Sequence, residues 1–150
     1  MPELPRFVLG IDPGKTTGVA VYDLLTDHLN AVELAEDEVG AWLEQIIFSL
    51  RPAVVIEAFT ITQHTARNSQ APWSLEIIGM ARHFAAKYGC SFTVQRPADA
   101  KAFATDARLK ALRWWRPGKG HAADAMRHTL LFLAKNGWWD DSLDGQRYSE

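Results

Sequence analysis

The sequence predicts an α/β fold in which a five-stranded mixed sheet is flanked by helices. Three observations carry this. Apolar runs of strand length open the chain and return at intervals, stripes of helical period separate the later runs, and Gly and Pro punctuate the boundaries. The resulting order is three strands, helix, strand, helix, strand, helices. An opening meander followed by alternation gives a mixed sheet with helices on its faces.

Phe7-Val8-Leu9-Gly10-Ile11 is an apolar run ending in Asp12 and reads as a buried strand. Pro13–Thr17 is a turn, and Gly18–Asp23 is a second strand. A weaker third strand near His28–Leu34 completes an antiparallel meander. From about Asp37 to Leu50, Val39, Trp42, Leu43, Ile46 and Ile47 form a helical stripe that Arg51-Pro52 stops. Ala53–Ile56 is short and wholly apolar, as in a strand buried on both faces, and it ends in Glu57. Phe59–Pro72 is a polar, irregular loop. Trp73–Tyr88 is a helix stopped by Gly89, and Cys90–Val94 is the fifth strand. Ala98 to about Trp115 makes one or two short helices, Arg116–Gly120 is a connector, and His121 to about Lys135 is the last helix.

A length of 150 residues suits one domain over 1–150, with a frayed polar tail from about 140. With 47% apolar residues, a core needs no covalent staples. The single cysteine, Cys90, rules out an internal disulfide framework and fits a reducing compartment. The N-terminus lacks a long apolar signal region, and no stretch is long enough to span a bilayer, so the expectation is a soluble cytoplasmic protein without a membrane partner.

The net charge of −2 does not by itself point to nucleic acid, but its distribution is uneven. Asp23–Glu44 carries seven acidic residues and no Lys or Arg. Arg96–Lys119 carries seven basic residues against Asp99 and Asp106. One edge can therefore meet a polyanion, although a solvated helix face would look the same.

Asp12 and Glu57 each close an apolar strand, where a carboxylate is costly to bury unless it is paired or bound to a metal. On parallel neighbouring strands the two emerge at one sheet edge. His121 and Asp124 share a helix face at i, i+3, among the small residues Ala122, Ala123 and Ala125, and His128 follows on roughly that face as a candidate supporting partner. Converging carboxylates repel one another, and hard divalent cations relieve that repulsion. Two such ions suit phosphodiester hydrolysis, and a His ligand tilts the site towards Mn²⁺. Each residue alone also has a plain reading: Asp12 as a turn residue before Pro13-Gly14, Glu57 as solvated, Asp124 as exposed and His121 as a helix-start neighbour.

At these residues the sequence resembles the RuvC family of Holliday junction resolvases, on the ribonuclease H-like fold, from about Phe7 to Leu133. Gly10-Ile11-Asp12-Pro13-Gly14 with Gly18 resembles the family's first strand and turn. Val55-Ile56-Glu57 with Phe59 resembles its fourth strand. Gly79-Met80-Ala81-Arg82 resembles a segment packed under the site, and Pro97, Lys101 and Lys110 lie where the family has a Pro and lysines. His121-Ala122-Ala123-Asp124-Ala125 resembles the closing motif. The chain departs at Ala104–Arg108, where the family has a glycine-containing segment, and its post-Glu57 aromatic comes slightly early.

The resemblance implies a Mg²⁺- or Mn²⁺-dependent endonuclease with two ions per site. Asp12, Glu57, Asp124 and His121 would be ligands, with His121 alternatively a general base, and the products would carry 5′ phosphates. It further implies branched DNA, four-way junctions above all, as substrate, and a homodimer making paired cuts. Lys15 and Lys110 would steady the scissile phosphate. Arg108, Arg113, Arg116 and Lys119 would bind further phosphates, while Phe59, Arg67 and Trp73 would meet the junction centre, unless Trp73, at a helix start, packs in the core instead. Trp114 and Trp115 are stacking candidates of which one ring is expected inside. The helix Trp73–Tyr88, through Leu75, Ile78, Ala81 and Ala85, is the candidate dimer interface, or else that stripe faces its own sheet.

Other readings compete. A ribonuclease of the same fold acting on structured or precursor RNA has the same residues. Gly10–Thr16 looks like a phosphate loop, but the glycine spacing is short and a strand follows it. An ATP-binding protein of the sugar-kinase and actin class needs two such domains, and a non-catalytic nucleic-acid-binding module has no reason to keep self-repelling carboxylates together.

Overall fold

The computed structural model describes residues 3–60, 62–63 and 71–139. Its elements are β1 (Phe7–Asp12), β2 (Thr16–Asp23), β3 (His28–Ala35), α1 (Val39–Leu50), β4 (Ala53–Glu57), α2 (Ala71–Lys87), β5 (Phe92–Gln95), α3 (Pro97–Phe103), α4 (Asp106–Ala111) and α5 (Gly120–Lys135). One five-stranded sheet runs β3-β2-β1-β4-β5. The first three strands pair antiparallel, β4 lies parallel to β1 and β5 parallel to β4. This is the mixed sheet the element order predicts.

Alternation divides the core in two. Val8, Ala20, Tyr22, Ala53 and Val55 face α5 and the α3–α4 corner. Leu9, Ile11, Val19, Val54 and Ile56 face α1 and α2. The central strands are apolar on both sides, which is why β4 shows no alternation of its own.

α5 is buried from Ala122 to Leu133 except at Asp124 and lies unusually close to the sheet. A Cβ at Gly10 would stand 2.1 Å from Thr129 Oγ1, and one at Gly18 would stand 1.9 Å from the His121 carbonyl oxygen. The glycines of β1 and β2, with the alanines of α5, admit backbone to backbone where any side chain would hold the layers apart.

Several boundaries differ from expectation. Gly89, at φ +70, ends α2, and Cys90 N–H returns to Ala85 O at 2.8 Å, so Cys90 belongs to the helix exit and β5 starts at Phe92. The segment before the connector is two helices. The Thr105 hydroxyl caps α4 by accepting from Arg108 N–H at 3.2 Å. In the expected interface stripe, Ala81 and Ala85 are fully buried against the sheet, whereas Leu75 is 44% exposed. The stripe is split because Ser74, Ile77, Ala81 and Ala85 form the inward face. Gly79 and Arg82 are exposed, so of Gly79–Arg82 only Ala81 is buried under the sheet. Among the described residues no helix is long and apolar enough to cross a membrane.

Candidate active site

A polar row crosses the α5 face of the sheet at the end where Asp12 and Glu57 leave their strands. Gly18 pairs with Glu33 on one side and with Asp12 on the other, while Glu57 pairs with Gln95. Ile11 registers with Ile56, so the next residues along the two parallel strands are Asp12 and Glu57. α5 lies over this row and carries His121, Asp124, Arg127 and His128.

Each carboxylate meets one group from α5. His121 Nδ1 lies 3.1 Å from Asp12 Oδ2. Arg127 Nε donates to Asp124 Oδ1 at 3.2 Å. His128 Nε2 lies 2.9 Å from Glu57 Oε2, and its Nδ1 lies 3.0 Å from the Gln95 side chain. Burial pushes the Asp12 carboxyl up to about 7, with the negative fields of Glu57 and Asp124 acting in the same sense and the His121 hydrogen bond opposing them. Glu33 reaches across from β3 and accepts the His121 backbone N–H at 3.1 Å. It satisfies a free donor at the start of α5, whose N-cap Lys119 offers no side-chain cap.

Arg127 fixes the far side. Its guanidinium also donates to Ala104 O, at the end of α3, and to Asp106. This joins Asp124 to the α3–α4 corner. Arg127 and Asp106, with Lys101, Thr105 and Ala107, line a cavity of about 480 Å³.

The donor set is three carboxylates and one imidazole, and one of the three, Asp12, is buried so that its ionised form is disfavoured. That chemistry fits a hard divalent cation, which would reverse the penalty on Asp12. The expected four-residue ligand cage is not closed. Among the described residues no three His, Cys, Asp or Glu side chains gather tightly enough to hold an ion as they stand. Each carboxylate spends one oxygen on its α5 partner.

The expected substrate-facing residues are dispersed. Lys15 is exposed and lines a hollow of about 350 Å³ with Thr16, Ala35, Glu36 and Asp37. Phe59 and Trp73 are half-buried, and Arg67 lies outside the described residues. Arg108 stacks over Phe103 at 4.3 Å, and Lys110 sits over Trp115 at 5.0 Å. Arg113 and Lys119 are exposed. Arg116 donates to the carbonyls of Arg113, Trp114 and Trp115, so it staples its own turn. Trp114 is 3% exposed and packs against Tyr22 and Trp139, which removes it from the stacking candidates.

Three polar residues of the site were missed in the sequence reading. Gln95 closes an apolar strand as Asp12 and Glu57 do, and the same rule would have found it. Arg127 puts a charge inside the long buried stretch of α5, beside Met126 and ahead of Leu130–Leu133, a visible signal. Glu33 shows nothing local that separates it from neighbouring acids.

No family model matches the sequence, and no curated protein matches it. Solved structures do. RuvC of Thermus thermophilus in complex with a Holliday junction substrate is 22% identical, with 88% of this chain and 96% of that chain covered and a TM-score of 0.65. A second Thermus thermophilus RuvC structure is 21% identical, over 87% and 96% of the two chains, with a TM-score of 0.61. Likeness at that identity speaks for the backbone, and with the five-stranded mixed sheet it shows that the chain has the RuvC type of ribonuclease H-like fold.

Proposed function

We propose that this chain is a divalent-cation-dependent endonuclease that cuts branched DNA, with four-way junctions as the preferred substrate. The observation that carries the reading is that β1 and β4 bring Asp12 and Glu57 side by side to one sheet end beneath α5, the helix that carries Asp124 and sets His121 against Asp12 and His128 against Glu57. The fold adds support, since a neighbour sharing it was captured with a Holliday junction.

In this reading Asp12, Glu57 and Asp124 hold Mg²⁺ or Mn²⁺, two ions per site, through oxygens not engaged by α5. When bound, the ions polarise the scissile phosphate and acidify a water. His121, its side chain 47% exposed at the mouth of the site, is the further ligand or the group that takes the water's proton. The water oxygen would join phosphorus as the bond to the 3′ oxygen breaks, and that oxygen would take a proton from solvent, leaving a 5′ phosphate and a 3′ hydroxyl. Lys15, Lys110, Arg113 and Lys119 bind phosphates along the approach. Two copies acting across a two-fold junction would make paired cuts.

The test is cleavage of a labelled four-way junction beside matched duplex, flap and RNA substrates, with Asp12→Asn as control. Paired nicks on the junction, absent in the variant, are expected. Cleavage of RNA in place of the junction would move the activity to a ribonuclease, and no cleavage of any substrate would refute the enzyme reading.

A further inference from the structure

Behind Glu57 lies a second buried contact that the reaction above does not use. Glu57 and Gln95 are registered neighbours on β4 and β5, and His128 comes down from α5 onto both. His128 is 1% exposed and Gln95 is 5% exposed, so bulk solvent is kept from both.

The proton count decides how this contact works. A neutral imidazole has one N–H and one acceptor nitrogen. With the Gln95 oxygen towards Nδ1 and a carboxylate oxygen at Nε2, both ring nitrogens face acceptors, and one contact is left without a hydrogen. In that same orientation Gln95 Nε2 is buried with no partner. A half-turn of the amide exchanges two atoms of nearly equal size, places Nε2 against Nδ1 and so supplies the missing hydrogen, while Oε1 takes the buried position that Nε2 leaves.

We propose that Gln95 and His128 are a positioning pair for Glu57: the Gln95 amide N–H donates to His128 Nδ1, which leaves the ring proton on Nε2 to be donated to Glu57 Oε2. One carboxylate oxygen is thereby fixed, and Oε1 remains to face a cation. The pair does for Glu57 what an outer hydrogen bond does for a metal-bound histidine, setting the tautomer and through it the ligand's orientation. The inference rests on the reading of Glu57 as a metal-holding residue, so its test includes a measurement independent of metal and of activity.

That measurement is the ring ¹⁵N spectrum of His128 in the full chain without added metal, assigned by loss of its signals in His128→Gln. Protonated Nε2 with bare Nδ1 is expected. A ring protonated on Nδ1 alone, or on both nitrogens, overturns the pair. Gln95→Met keeps the length but offers Nδ1 no donor, so the preference for a proton on Nε2 should be lost and Mn²⁺ affinity should fall by roughly tenfold or more. An unchanged ring in that variant also overturns the pair. His128→Gln retains an N–H for Glu57 and should bind Mn²⁺ better than His128→Phe, which fills the space without a donor. Equal affinities would reduce His128 to packing. If the unaltered protein binds no Mn²⁺, the metal reading fails, and the ring spectrum alone decides the hydrogen-bond assignment.

Discussion

A Cβ on Gly18 would stand 1.9 Å from the carbonyl oxygen of His121, so the start of α5 rests on bare β2 backbone. Neither partner can give way easily, since both are main chain. Gly18→Ala should therefore destabilise the protein by about 1–3 kcal/mol or more and lift His121 away from Asp12. Gly79, on an exposed turn of α2 with nothing within 4 Å of its Cβ position, is the control. Gly79→Ala should stabilise by about 0.5–1 kcal/mol. Denaturant titration of both variants checks this, and equal shifts would contradict the close contact.

Asp12 makes stability pH-dependent. Its pKa of about 7 in the folded protein lies above its ordinary 3.8, so between these values the folded state holds a proton that the unfolded chain has released. Stability is fully present below the lower value, falls as pH rises through the window and stays low above the upper one. Asp12→Asn removes the dependence. Its advantage over the unaltered protein should be absent near the lower value and grow to at most a few kcal/mol above the upper one. Chemical denaturation across the window measures the gap. Added Mg²⁺ should narrow it by stabilising only the protein that keeps the carboxylate.

Arg127 holds three acceptors with a guanidinium that is 10% exposed. Arg127→Met strands Asp124, Asp106 and the Ala104 carbonyl together. The expected cost is about 1–3 kcal/mol, the range for leaving a buried acceptor without its donor, since Asp124 and Asp106 keep access to water. Asp106 is 61% exposed, and Asp106→Ala should cost less than about 1 kcal/mol. Similar losses in the two unfolding curves would mean that Arg127 does not tie α5 to the α3–α4 corner.

Binding to DNA should weaken with salt in proportion to the phosphates contacted. Arg113 and Lys119 are exposed, whereas Arg116 is committed to three backbone carbonyls. Arg113→Ala and Lys119→Ala should each lower the slope of log affinity against log salt by about 1 and leave the fold intact. Titration of a labelled junction at several salt concentrations reads the slope, and a value unchanged by either substitution removes that residue from the interface.

Much of this arrangement was legible in the residues. A run of apolar side chains that stops on an acid marks where a strand leaves the core, and both Asp12 and Glu57 were visible in that way. Helical spacing put His121, Asp124 and His128 on one face of α5. The pairing of β4 with β1 followed from the element order and the family resemblance, and it is what brings Asp12 beside Glu57.

The remaining contacts are between residues distant in the chain. His128 stands four residues from Asp124, yet it meets Glu57, which is 71 residues away. Glu33 meets the start of α5 across 88 residues, and Arg127 reaches Ala104 across 23. Local periodicity states which face a side chain leaves from, not which partner stands opposite it. The sequence by itself determined the strands, the helices and the acids at their ends, because these depend on neighbours in the chain. Only the tertiary structure decided which donor holds which carboxylate, because that depends on how closely α5 sits on Gly10 and Gly18 and on the register it takes over the sheet.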